Sequence, residues 1–128
     1  MRFLLAMVLA LGLTPTVYAN DVRPSEVIDA QIAAFRANDL DTAFSFASAN
    51  IKKIFVTAER FGQMVKRSYP MVWRPARVRY GQFSDRGFQT VYFTDSAGSV
   101  FEARYEMIKS DQSWKINGVL VRAAGRGA

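Results

Sequence analysis

The spacing of the hydrophobic residues changes once along the chain, near Ala76, and that change restricts the fold more than any other feature. Before it, apolar residues recur at helical intervals. After it they alternate, so a helical half has to pack against a sheet half. Ser25 is placed to cap a first helix with Glu26 in its first turn, and Ile28, Ile32 and Phe35 form its stripe until Asn38-Asp39 interrupts it. Asp41 is the expected cap of a second helix carrying Phe44, Ala47 and Ile51 on one face, and Thr57 that of a third carrying Phe61, Met64 and Val65. Pro70 ends the third, because the residue before a proline is driven out of helical geometry. Trp73-Arg74-Pro75 then reads as an extended link to the sheet.

Strands are expected over 77–84, 88–94, 100–108 and 114–122, with turns rich in Asp, Gly and Ser between them. The order predicts an α+β domain, about three N-terminal helices (23–70) on a curved four-stranded antiparallel sheet (76–122), with a fraying tail over 123–128. Taking 95–98 as the second turn sets Tyr92 opposite Phe101. Phe88, Thr90, Tyr92, Phe101, Ala103, Tyr105 and Met107 then share the core face, and Met107 opposite Ile116 adds Trp114 and Leu120 to it. Val91, Glu102, Arg104 and Glu106 point to the other side, where the charges form a solvated ladder.

The first nineteen residues have the order of a secretory signal peptide. Arg2 gives a basic start, 3–13 is an unbroken apolar run, and Thr14-Pro15-Thr16 breaks it before Val17-Tyr18-Ala19 offers a cleavage site. As a helix the run spans about 16 Å, half the roughly 30 Å of a bilayer core, so a permanent anchor is disfavoured. Cleavage after Ala19 leaves one domain, 20–128, periplasmic or secreted, with no membrane span. The formal charge falls from 17 − 11 = +6 to 16 − 11 = +5. With no cysteine, the domain has neither a disulfide framework nor a lipid-attachment residue after the cut.

The composition narrows the chemistry. No histidine and no cysteine removes the usual neutral-pH acid-base, common zinc sites and thiol nucleophiles. No Gly-x-Ser-x-Gly elbow or phosphate-cradling glycine loop is present. Asp39-Leu40-Asp41 lacks the further oxygens of a cation site and is better read as helix termination. No catalytic residue, metal ligand or cofactor is assigned. Among the carboxylates, a helix-borne Asp29 is the one candidate to serve a pocket.

The span 60–84 holds Arg60, Lys66, Arg67, Arg74, Arg77 and Arg79 with no Asp or Glu, interleaved with Tyr69, Trp73 and Tyr80. Guanidinium groups beside aromatic rings suit an anionic group carrying apolar surface. Tyr69, Trp73, Arg74, Arg77 and Tyr80, with Tyr92 and Tyr105 from the sheet, are therefore the candidate ligand-binding residues. A plainer reading stands beside this one: Arg77 and Arg79 on the outward side of the first strand, Lys66-Arg67 at a helix C-terminus, and Trp73 in the core. An exported chain rarely meets nucleic acid, so an anionic envelope component or a small molecule is the expected partner.

Phe61-Gly62-Gln63-Met64-Val65, Tyr69-Pro70-Met71-Val72-Trp73-Arg74-Pro75, Asp95-Ser96-Ala97-Gly98, Tyr105 and Trp114-Lys115-Ile116-Asn117-Gly118-Val119 resemble the bacterial family known as domain of unknown function 4864. The resemblance covers nearly all of the chain after the cut. The last block also resembles the superfamily of nuclear transport factor 2. That implies helices packed into a curved sheet as a cone-like roll, often with a small-molecule pocket, but it implies no activity. Three classes of function follow: a non-catalytic binding or interaction module of the cell envelope, which is favoured; a small isomerase or dehydratase acting in the cone; and a homodimeric scaffold using an exposed sheet face.

Overall fold

Five helices precede four strands in the computed structural model, which describes residues 22–126. The expected leader and its cleavage site lie outside the described residues. The helices are α1 (Pro24–Arg36), α2 (Leu40–Ser45), α3 (Ala49–Phe55), α4 (Ala58–Ser68) and α5 (Pro70–Trp73). They pack on an open antiparallel sheet of β1 (Arg77–Phe83), β2 (Phe88–Thr94), β3 (Ser99–Ser110) and β4 (Ser113–Arg126), ordered β1-β2-β3-β4. The fold is α+β, with the helices N-terminal to the strands. The described elements lie within 24–126, and the core is built between them.

The helix boundaries follow local chemistry more closely than the apolar periodicity. Arg23, not Ser25, precedes α1, because Pro24 takes the first helical position, where a missing N–H costs nothing. Asn38, at φ 55, breaks the chain away from α1. Asp39, not Asp41, caps α2, accepting from the Thr42 N–H at 3.2 Å and the Thr42 hydroxyl at 2.6 Å. These bonds, the hydroxyl's first, hold its carboxyl below the usual range.

The expected second helix is in fact two. Residues 46–48 leave helical geometry to bond β4: the Ile116 N–H donates to the Phe46 carbonyl at 2.9 Å, and the Ser48 N–H to the Ile116 carbonyl at 2.8 Å. Ser48 then caps α3 by accepting from the Ile51 N–H. Thr57 caps α4 through the Arg60 N–H. Pro70 ends α4 but also opens α5, so Trp73 closes a helical turn, and the extended link is shorter than expected.

The sheet corrects two side-chain assignments. Phe93, not Tyr92, lies opposite Phe101, because Asp95 pairs with Ser99 and the loop holds three residues, with Gly98 at φ 84. A slip of one residue turns a strand over. Gln89, Val91 and Phe93 are therefore buried, while Phe88, Thr90 and Tyr92 face outward. Met107 does oppose Ile116, but a bulge follows and brings Glu106 opposite Gly118. Val119 and Val121 thus join the inner face, and Leu120 is turned out, 71% exposed. On β3, Ala103, Tyr105 and Met107 are buried as alternation requires. The expected fraying tail is strand as far as Arg126, paired with Ser99–Phe101 through residues 123–126.

Candidate ligand-binding cavity

The helices do not close fully on the sheet. Between them lies a cavity of about 460 Å³. Phe35 from α1, Ile51, Ile54 and Phe55 from α3, and Phe61, Met64 and Val65 from α4 form its helical wall; Tyr105, Ile116 and Val119 form its sheet wall. Ile54 is 68% exposed and Ser68 is also exposed, so this side of the cavity meets solvent.

No Asp, Glu, Lys or Arg lines the cavity. Its polar residues are Gln31, Ser68, Tyr69 and Tyr105. Gln31 is buried, and its amide nitrogen donates to the Ala43 carbonyl at 3.0 Å. Tyr105 is fully buried, and its hydroxyl is the sole buried side-chain polar atom among the described residues without a hydrogen-bond partner. Burial, and to a smaller degree nearby Tyr80, pushes this phenol far above its ordinary value, so it is neutral. A buried orphan hydroxyl calls for an explanation, and the residue that carries it is one of those lining the cavity.

The candidate residues drawn from sequence separate onto different surfaces. Tyr69 and Tyr105 are at the cavity. Trp73 packs its ring 5.3 Å from that of Phe35. Arg74 sits 4.6 Å over Trp73 and donates to the Phe35 carbonyl at 2.6 Å and to Asn38 Oδ1 at 2.9 Å, tying the end of α1 to the link. Arg36 adds a bond from the other direction, to the Pro75 carbonyl at 2.7 Å. Arg77 is exposed on β1 opposite Thr94. Tyr92 is on the outer sheet face under the Arg79 guanidinium, 4.2 Å from its ring centre. Tyr80 points inward and donates to Asp29 Oδ1 at 3.0 Å, in a shallow hollow beside α1. Asp29 thus serves Tyr80 and does not line the main cavity. Among the described residues no cluster of His, Cys, Asp or Glu is arranged to hold a metal ion.

A family model described as a domain of unknown function (DUF4864) matches residues 19–127. The chain belongs to this family. No curated protein and no solved structure matches it. In this DUF4864 domain the blocks that carry the family likeness do structural work around the cavity. Gly62 lets α4 approach α2 so closely that a Cβ there would lie 2.6 Å from Leu40 Cδ2, and Phe61, Met64 and Val65 of the same block are cavity wall. The Tyr69–Pro75 block turns the chain from α4 into the sheet.

The side chains that sequence reasoning missed are those of α3. Ile51, Ile54 and Phe55 recur at i, i+3 and i+4, the spacing of one apolar face on a short helix with Lys52 and Lys53 on the other side, and that spacing is a sequence signal. None of the α3 residues is buried. Val56, just after it, has φ 71 and ψ −48, and the Thr57 N–H donates to the Phe55 carbonyl at 2.8 Å. This is a γ-turn of the rare positive-φ kind, strained for any β-branched residue.

Proposed function

We propose that this chain is exported, is cleaved after Ala19, and acts outside the cytoplasm as a non-catalytic binding module that holds a small apolar molecule between its helices and its sheet. The observation that carries this reading is the cavity: about 460 Å³, walled by aromatic and aliphatic side chains, with no charged residue on its surface. Sites for small apolar molecules have this size and character, with a few polar groups to set orientation. Gln31, whose amide nitrogen is already engaged, offers its oxygen to a guest; Ser68 and Tyr69 offer hydroxyls. An isomerase or dehydratase working here would need a carboxylate or a comparable general base at the wall, and the titratable groups there are the phenols of Tyr69 and Tyr105, the latter held neutral by burial. The family match beginning at residue 19 supports a folded unit that starts near the proposed cut.

A thermal-shift titration of the chain from Asn20 against neutral apolar compounds of graded size tests this. A ligand at a hundred times its dissociation constant stabilises by about 2.7 kcal/mol. In a domain of this length that raises the melting temperature by roughly 10 °C or more. The expected result is a saturable rise for compounds that fit the cavity and none for larger ones. A flat response across the series would refute the reading.

A further inference from the structure

We propose that the rim of the cavity formed by the end of α3 and the turn into α4 is a docking surface for an anionic lipid bilayer, so that the bound molecule is exchanged with a membrane rather than with bulk water. The inference rests on the cavity reading above for its purpose, but on separate observations for its location. Ile54 and Val56 are 68% and 65% exposed, two residues apart, at the side of the cavity that meets solvent. Among the large hydrophobic residues, Leu120 is comparably exposed, but it lies on the outer sheet face.

The turn itself argues that these side chains have a use. At φ 71 a glycine would sit without strain. Valine adds strain and presents an apolar side chain to solvent, two costs that a surface turn has no reason to bear unless the side chain is what matters. The surroundings supply the charge complement. Residues 48–68 contain Lys52, Lys53, Arg60, Lys66 and Arg67 against one acid, Glu59, and among the described residues none of these cations is in an ion pair. Lys52, Lys53 and Arg60 lie next to Ile54 and Val56 along the chain, and an apolar tip flanked by cations is the combination that anionic bilayer surfaces attract, the tip entering the interface while the cations meet headgroups. The rim borders a cavity fit for an apolar guest, so a molecule leaving the bilayer there would cross little water.

Co-sedimentation of the chain from Asn20 with phosphatidylcholine vesicles, with and without a minor fraction of phosphatidylglycerol, tests the proposal. Wild type should bind the anionic vesicles and not the neutral ones. Lys53→Glu and Val56→Gly should each weaken that binding by roughly tenfold. Neither residue lines the cavity, so uptake of a neutral apolar probe in solution should be unchanged. Val56→Gly relieves the turn, so a loss of binding in that variant would not reflect unfolding, and Arg86→Glu in the β1–β2 turn should bind as wild type does. Absence of binding to anionic vesicles, or equal binding by all variants, would overturn the proposal and leave the surface to a protein partner. Vesicle binding without probe uptake would instead sustain the docking surface and overturn the cavity reading.

Discussion

Gly87 and Tyr105 show how much single positions decide in this domain. Gly87 has φ 89, and a Cβ there would lie 2.9 Å from the Met107 carbonyl oxygen, a backbone atom held in the sheet. Gly87→Ala therefore meets both a left-handed backbone and a clash that no side chain can relieve. It should destabilise the protein by at least about 1–2 kcal/mol. Urea denaturation would show this, and an unchanged midpoint would contradict it. Tyr105 and Tyr80 set the alkaline limit. Burial first, then Tyr80, raises the Tyr105 phenol; burial first, then the Asp29 charge and hydrogen bond, raises that of Tyr80. Both stay protonated in the fold while tyrosines of the unfolded chain ionise near pH 10. The unfolded state then holds fewer protons, so this stability is complete below about pH 10 and is lost as the pH climbs above it. Tyr105 alone contributes a slope of up to about 1.4 kcal/mol per pH unit, and half-buried Tyr80 adds less. In an absorbance titration these two tyrosinates should appear only as the circular dichroism of the fold collapses; early titration of every tyrosine in a folded chain would show the assignment to be wrong.

Among the elements, α3 is the one least tied to the core. None of its residues is buried; Ile51 and Phe55 pack against the core, and Ser48 fixes its start by capping its N-terminus and donating to Asn117 Oδ1 at 2.7 Å. Its amides should exchange with solvent faster than those of α1 and β3. Ser48→Ala, which loses the cap and leaves Asn117 without that partner, should cost about 1–2 kcal/mol and speed α3 exchange further. Equal protection in α1 and α3 would refute this. The elements also mark where sequence reading reached its limit. Helix against strand was legible from periodicity, and Thr57 was legible as a cap because a hydroxyl before a helical run has one common use. The division of the second helix was not, because its cause is a bridge to Ile116, nearly seventy positions away. The β2 register was missed for a nearer reason. Whether Asp95 belongs wholly to the loop or bonds to Ser99 decides which face Tyr92 and Phe93 take, and Asp, a turn residue depleted in strands, points to the loop.

For the whole molecule, the helix layer over an antiparallel sheet followed from the order of periods alone, but the cavity did not. A cavity is a gap between layers, set by how α1, α3 and α4 stand off from Tyr105 and Ile116, and no residue type announces it. The basic and aromatic span that looked most like a site in one dimension is divided among the α1–link junction, the outer sheet face and the cavity rim. Arg74 in particular spends its donors on the Phe35 and Trp73 carbonyls and on Asn38. The function of this fold therefore turns on whether the space between the layers receives a guest. Binding of a neutral, environment-sensitive naphthylamine probe by wild type and by Val65→Phe measures this most directly, because Val65 is a buried wall residue and the larger ring takes up guest space. Because the ring enters a pre-existing gap, the cost should stay at or below the roughly 1–3 kcal/mol of overpacking a filled core, and Met64→Phe provides a second filling variant. The predicted result is saturable binding by wild type that falls at least roughly tenfold in the filled variants while they stay folded, a loss of about 1.4 kcal/mol of affinity. Equal probe binding by wild type and the folded, filled variants would contradict it.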